Sequence, residues 1–235
     1  MKPRFQYGGQ AVIEGVMMRG RDSAAIAVRK PSGEISVDVR EIDNSRRPSI
    51  LKAPLIRGTV MLIESLVLGM NALMYSANES ADEEERLSGG EVALSLVVAL
   101  GLFVLLFIVL PNVIVAFIQK RISSVILVNL IEGALRVAIF IVYLVAISQM
   151  RDIQRVFAYH GAEHKTIAAW EAGEALTVEN ARRHGTAHAR CGTNFLLIVM
   201  LVSVLIYSLL GRQGLVERIV TRILLLPVLA GVSYE

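Results

Sequence analysis

The chain is 235 residues long, 54% hydrophobic, with a formal net charge of +3 and a mean hydropathy of +0.56. So mild a basic balance, with no lysine-rich tail, aromatic-interleaved basic run or zinc-finger spacing, argues against nucleic acid as a partner. A single cysteine, Cys191, excludes an internal disulfide and leaves the redox compartment unmarked.

The apolar residues come in blocks. No Asp, Glu, Lys or Arg occurs within 92–118, 137–150 or 191–211, and the charges gather between these stretches. That separation is the signature of a chain whose solvent is a lipid bilayer. The start, Met1-Lys2-Pro3-Arg4, is basic, but no apolar run follows it as a signal peptide requires.

Residues 1–52 read as a small cytoplasmic segment containing β-structure. Residues 25–30 and 34–40 are alternating runs around Pro31-Ser32-Gly33, the pattern of a β-hairpin with Ile35, Val37 and Val39 on one face. The earlier stretch, 8–20, holds four glycines and reads as a short strand with close backbone turns. Residues 53–90 read as an amphipathic helix over 55–77, interfacial or packed on other helices, with a true span as the alternative, followed by an acidic linker. The helix places Leu55, Thr59, Leu62, Leu66 and Met70 at helical spacing but carries Arg57 and Glu64. The linker, Glu79, Asp82, Glu83, Glu84 and Glu85 before Ser88-Gly89-Gly90, reads as a solvated loop.

Residues 91–235 read as a helical membrane domain. Spans are predicted at about 92–117, 126–149 and 194–210 by their apolar length. Within 216–234 the apolar run Ile223–Val232 is interrupted by Pro227 and is too short to cross alone; it predicts a kinked fourth span or a re-entrant helix. The chain stops at Glu235 with no polar tail after that run, as a shortened chain would. The fold class is thus mainly α: a polytopic helical membrane protein of about four segments with a small N-terminal β-containing portion.

Inside the second span, Glu132 and Arg136 stand at i, i+4 and can pair. A charge at the bilayer centre costs about 2.5–3.5 kcal/mol. Two readings stand: an intramembrane polar site, or a helix that enters the membrane only near Val137 and leaves the pair at the interface. Residues 1–57 carry 11 Lys or Arg and 150–193 carry six, against Lys120 and Arg121 between the first two spans. The positive-inside rule then puts the N-terminus and the 150–193 region in the cytoplasm. The Lys120-Arg121 pair weighs against this.

All four histidines, His160, His164, His184 and His188, lie in that polar region, which reads as a His-rich cytoplasmic loop. His160, Glu163 and His164 fall on one face of a helical turn. Two imidazoles one turn apart can hold one metal ion, and the carboxylate beside them can be a ligand or a general base. His-x-x-Glu-His is also the inverzincin protease pattern, matched here over five residues only. His188 and Cys191 add two further donors, so a zinc-type site of His160, His164, His188 and Cys191 with Glu163 beside it is predicted if the loop folds back. The plain alternative is that these histidines cap helices or bind headgroup phosphates and that Glu163 pairs with an arginine. A separate candidate is an anion site made by Arg190 and the backbone amides of Gly192, Thr193 and Asn194. Asn194 or Thr193 is equally a natural helix cap, and Cys191 alone is equally a small buried residue.

Three stretches carry a family resemblance: Gly9-Gln10-Ala11-Val12-Ile13-Glu14-Gly15-Val16-Met17-Met18-Arg19-Gly20, then Tyr159-His160-Gly161-Ala162-Glu163-His164-Lys165, then Arg190-Cys191-Gly192-Thr193-Asn194-Phe195 with the terminal Ser233-Tyr234-Glu235. Over nearly its whole length the chain resembles the YqhQ-like family of bacterial membrane proteins, a domain of unknown function (family 1385). The resemblance implies the bacterial inner membrane and a metal-dependent enzyme label that falls on His160, Glu163, His164, His188 and Cys191. It also implies a proline where this chain has Ala189, so the backbone entering Arg190 is less restricted here, and a further region after Ser-Tyr-Glu.

Three functions compete. The first is a metal-dependent membrane hydrolase with a cytoplasmic-face site, a divalent ion such as zinc, and Glu163 as base. The second is a scaffold or partner subunit of a transport, insertion or assembly complex, docking through the N-terminal segment. The third is a homo-oligomeric pore or carrier built on Glu132 and Arg136.

Overall fold

The computed structural model describes residues 7–42, 51, 53–82, 88–211 and 213–235. The expectations placed on Met1, Lys2, Pro3 and Arg4 and on Glu83, Glu84 and Glu85 lie outside these residues. The chain divides into two compact units, one of residues 1–48, 63–88 and 148–191, the other of residues 49–62, 89–147 and 192–235.

In the first unit, β1 (Gly8–Val12), β2 (Gly15–Arg19), β3 (Ser23–Arg29) and β4 (Ile35–Glu41) form an antiparallel meander in chain order. In β3 the alternation is plain: Ala24, Ile26 and Val28 are buried while their neighbours are not, as the two-residue repeat of a strand dictates. The hairpin expected around Pro31-Ser32-Gly33 forms, with Arg29 paired to Ile35 and Gly33 in the left-handed region at φ 86°. The glycine-rich stretch before it is two strands rather than one. Val12 pairs with Gly15 across a turn in which Glu14 takes φ 52°, a conformation that a glutamate does not advertise in sequence. Ile35, Val37 and Val39 share a face as expected, but it is the open one, at 56%, 62% and 63% exposed.

The helix expected at 55–77 forms as α1 (Ile56–Ser80) and is itself long and apolar enough to cross a membrane. Its later turns meet the sheet: Ala72 joins Val12, Met17, Ile26 and Val28 in one core. The Ile13 amide donates to Ser76 Oγ at 3.1 Å and Arg19 to Ser65 Oγ at 3.0 Å. Glu64, a charge that seemed out of place on an apolar helix, lies 3.7 Å from Arg19.

Residues 150–193, read as a loop, are largely helical: α5 (Arg151–Ala172) and α6 (Val178–Arg183). Hydropathy hid α5 because the stripe it buries includes Glu163 and His164 beside Ile167 and Ala169. The helix stops at Gly173, whose φ of 78° lets its amide return to the carbonyls of Ala169 and Trp170. α6 opens at Thr177, whose Oγ1 accepts from the Asn180 amide at 3.3 Å. Side-chain contacts join α5 to the residues flanking the first two strands. Glu14 pairs with the Arg155 guanidinium and accepts from Tyr159 Oη at 3.3 Å, and the rings of Tyr7 and Trp170 meet edge to face at 5.3 Å.

In the second unit, α2 (Gly89–Val104), a π-helical turn at Leu105–Val109 and α3 (Leu110–Ile118) make one continuous helix of 30 residues. Pro111 has no N–H for the Phe107 carbonyl, which accounts for a departure from α geometry here. Then come α4 (Val125–Ile147), α7 (Gly192–Ser208), α8 (Leu215–Leu224) and α9 (Leu226–Tyr234). Three helices, at 56–80, 89–118 and 125–147, are long and apolar enough to cross a membrane; α7 is apolar but shorter. The expected kink within 216–234 is a break between α8 and α9 at Leu225, with Pro227 in the first turn of α9. Asn129 of α4 donates to the Tyr207 carbonyl of α7 at 3.0 Å. Thr59 of α1 donates to the Pro227 carbonyl at 2.8 Å, and Arg57 pairs with Glu235.

Two outcomes follow from these contacts. A Cβ at Gly231 would stand 2.4 Å from the Leu55 carbonyl oxygen, and backbone there cannot swing aside, so Gly231→Ala is expected to cost about 1–3 kcal/mol as an overpacked site. Thermal unfolding of the detergent-solubilised chain reads this, and an unmoved midpoint would refute the contact. The Arg155 guanidinium holds the Glu14 carboxyl below its ordinary 4.5. A lowered folded value means the pair stabilises above the unfolded carboxylate pKa and is lost as pH falls through the folded one. Glu14→Gln is therefore expected to flatten the loss of stability below pH 4.5, with no change in slope there counting against the pair.

Candidate metal centre

The repeat of α5 sets Glu163, His164 and Ile167 on its buried stripe, with His160 one turn earlier at its edge. The segment after α6 runs back along this stripe and brings Cys191 to it. His160 Nε2 lies 3.3 Å from Cys191 Sγ, and the rings of His160 and His164 are 4.3 Å apart. One donor atom from each of His160, His164 and Cys191 falls within 4.8 Å of the others.

Two glycines make this approach feasible. A Cβ at Gly161 would stand 3.0 Å from Thr186 Cγ2, so the bare helix surface there admits the returning segment. A Cβ at Gly9 would stand 2.4 Å from Glu163 Oε1, so the carboxylate lies against the bare backbone of β1.

Protonation follows from the partners. His164 Nδ1 faces the Thr186 carbonyl, which only accepts, so Nδ1 carries a hydrogen and Nε2 is the nitrogen left to face the site. That Nε2 lies 3.5 Å from Glu163 Oε2. Burial pushes the Glu163 carboxyl above its ordinary value, partly offset by His164 and His188. Burial, assisted by the charge of His164, pushes His160 below its ordinary value and favours the neutral imidazole. Two imidazoles and a thiol are a borderline-soft donor set of the kind zinc takes. Three protein donors leave a position open, as catalytic zinc sites do.

The remaining predicted residues are placed as follows. His188 stands behind His164, ring centres 5.6 Å apart, with Nε2 3.4 Å from Glu171 and Nδ1 accepting from the Arg190 amide. His184 Nε2 lies 3.2 Å from Glu174. The Arg190 guanidinium is engaged by Glu171, while Gly192, Thr193 and Asn194 open α7 in the second unit.

Glu132 and Arg136 pair at 2.7 Å as the spacing predicts, with Glu132 only 2% exposed. Two residues that the sequence reading left out join them: Arg222 and Arg218 of α8. Their signal was available, since they repeat the i, i+4 spacing of Glu132 and Arg136 on a mostly apolar segment. Gly9 was quoted only as part of a motif, and nothing local points to its contact with Glu163.

Residues 53–235 match the family described as "Protein of unknown function (DUF1385)". The chain is 33% identical over 247 residues to the uncharacterized protein YqhQ of Bacillus subtilis (strain 168), covering 97% of this chain and 77% of that one. No solved structure matches. The chain belongs to the YqhQ-like DUF1385 family.

The contact at Gly161 has a measurable consequence. Gly161→Leu is expected to push the returning segment off α5 and to speed maleimide labelling of the buried Cys191 about tenfold or more, equivalent to roughly 1.4 kcal/mol of easier local opening. An unchanged labelling rate would show that the segment is held some other way.

Proposed function

We propose that the chain is an integral membrane enzyme of the bacterial inner membrane, hydrolytic in chemistry, using a divalent ion such as zinc held by His160, His164 and Cys191. The observation that carries this reading is the convergence of three donors from two distant stretches of chain, within 4.8 Å of one another and next to a buried carboxylate. A bound zinc supplies Lewis-acid activation of water and of a carbonyl or phosphoryl oxygen.

The protein's own groups divide the remaining work. The Thr186 carbonyl orients His164 and fixes its tautomer, as outer partners of metal-binding histidines do. Glu163, whose carboxyl burial pushes above its ordinary value, is the group placed to act as a base beside the donors. Gly9 leaves room for that carboxylate against the sheet. The three apolar helices supply the membrane anchorage, and the surplus of Lys and Arg at 1–57 and 150–193 supports a cytoplasmic N-terminus and a cytoplasmic site.

A second reading, a scaffold or partner subunit of a transport, insertion or assembly complex, has its own support. The edge strand β4 turns Ile35, Val37 and Val39 outward, and uncovered edge strands invite pairing.

Metal analysis of the purified full chain separates the two. About one zinc per chain is expected in the wild type, as three converging donors at neutral pH imply. His160→Ala, His164→Ala and Cys191→Ser should each lose it, while Glu163→Gln and His188→Ala should retain it. Equal metal content in the wild type and in a His160→Ala/His164→Ala double variant would end the enzyme proposal.

A further inference from the structure

Among the described residues, the second unit holds a buried cluster of charge that does not balance. Arg222 forks onto Glu132, its Nε and Nη2 each 3.2 Å from a carboxylate oxygen, and donates through Nη1 to Gln213 at 3.3 Å. Its guanidinium stacks 3.7 Å from the ring centre of Tyr207. Arg136 donates to the same carboxylate at 2.7 Å and also faces the Tyr207 ring at 5.2 Å. Arg218 donates to Gln119 at 2.7 Å and lies 3.9 Å from Glu132. Three guanidiniums against one carboxylate leave two positive charges over, on side chains only 3%, 4% and 12% exposed for Arg222, Arg218 and Arg136. Nε of Arg136 and both Nε and Nη1 of Arg218 are buried without a hydrogen-bond partner among the described residues.

Withdrawing an unbalanced charge from water costs several kcal/mol per ion. Here the one carboxylate already takes three donations, so it cannot neutralise the remainder. An anion can, and guanidiniums suit phosphate oxygens in particular.

What adjoins the cluster says what kind of anion. A cavity of about 380 Å³ is walled by Leu102, Phe107, Phe140 and Leu229, and Arg136 and Arg222 stand in the same wall. The π-helical turn contributes Phe107 and its neighbours to that wall, and such turns recur where helices serve ligands. A free phosphate would meet the arginines but leave an apolar cavity empty. A neutral hydrocarbon would fill the cavity and leave the charge unmet.

We propose that this cavity binds a phosphate-bearing amphiphile of net negative charge, its headgroup at Arg136 in the field of Arg218 and Arg222 and its hydrocarbon chain among Leu102, Phe107, Phe140 and Leu229. The inference rests on the chain's crossing a bilayer and is independent of the metal centre. It makes the molecule a lipid-binding protein in the strict sense of one site and one headgroup class.

Native mass spectrometry of the full chain in a neutral detergent tests this, with phosphatidylglycerol, phosphatidylcholine of the same chains, and inorganic phosphate as probes. One phosphatidylglycerol per chain is expected, at least about tenfold tighter than phosphatidylcholine, a difference of roughly 1.4 kcal/mol. Arg136→Gln should abolish that preference by removing the headgroup partner. Val199→Phe, which fills the apolar wall and keeps every charge, should weaken phosphatidylglycerol by a similar factor. It also serves if the arginine variant does not fold, and an unchanged circular-dichroism spectrum and gel-filtration profile report that each variant is intact. Equal retention of both lipids by the wild type would overturn the proposal. So would inorganic phosphate competing as well as phosphatidylglycerol, which would make the site a plain anion site, or retention indifferent to both substitutions.

Discussion

His164 donates through Nδ1 to the carbonyl of Thr186, and much of the first unit's candidate chemistry hangs on that bond. It decides which ring nitrogen faces Glu163. It also ties the segment after α6 to α5, and that segment carries Cys191 to His160. A polar group withdrawn from water is tolerated when it is bonded. Here a backbone carbonyl, a carboxylate and a glycine surface supply the environment for a polar stripe that would otherwise be an unfavourable thing to bury. The sheet serves the same end, because β1 offers Gly9 where any side chain would collide with Glu163.

The two units treat ionisable groups in different ways. In the first, burial works toward neutrality: Glu163 is pushed up and His160 down, so both favour their uncharged forms. Neutral imidazoles are what a metal ion binds, and a carboxyl held up is what proton transfer near neutrality uses. In the second, the groups are arginines, which do not shed a proton within a protein. Their charge is met by partners or not at all. Glu132, Gln119, Gln213 and the face of Tyr207 meet part of it, and the remainder selects for a ligand of opposite sign. Burial thus lowers the charge of Glu163 and His160 in the one centre, while the other stays charged.

The hairpin at Pro31-Ser32-Gly33, the apolar helices at 89–118 and 125–147, the pairing of Glu132 with Arg136 and the shared face of Glu163 and His164 could all be read from the chain. Each depends on residues a few positions apart, where strand and helix repeats fix geometry. The misreadings have a common cause. Hydropathy reads α5 as a loop because it scores a helix by an apolar stripe, and this helix buries Glu163 and His164. The turn at Glu14 was missed because its left-handed backbone is sustained by distant partners, Arg155 and Tyr159, and not by a glycine. Arg57 and Glu64, the charges on the helix at 55–77, find their partners far along the chain, in Glu235 and Arg19.

By itself the sequence determined the class of the molecule, its helical segments and the neighbourhood of its histidines, since hydrophobic blocks and periodic spacing are local properties. Only the tertiary structure decided that Cys191 would stand beside His160 across 31 residues, that His188 would turn to Glu171, and that Arg222 would reach Glu132 across 90. Contacts over such distances are set by chain return and by which buried groups find partners, and neither is written in the spacing of any one segment.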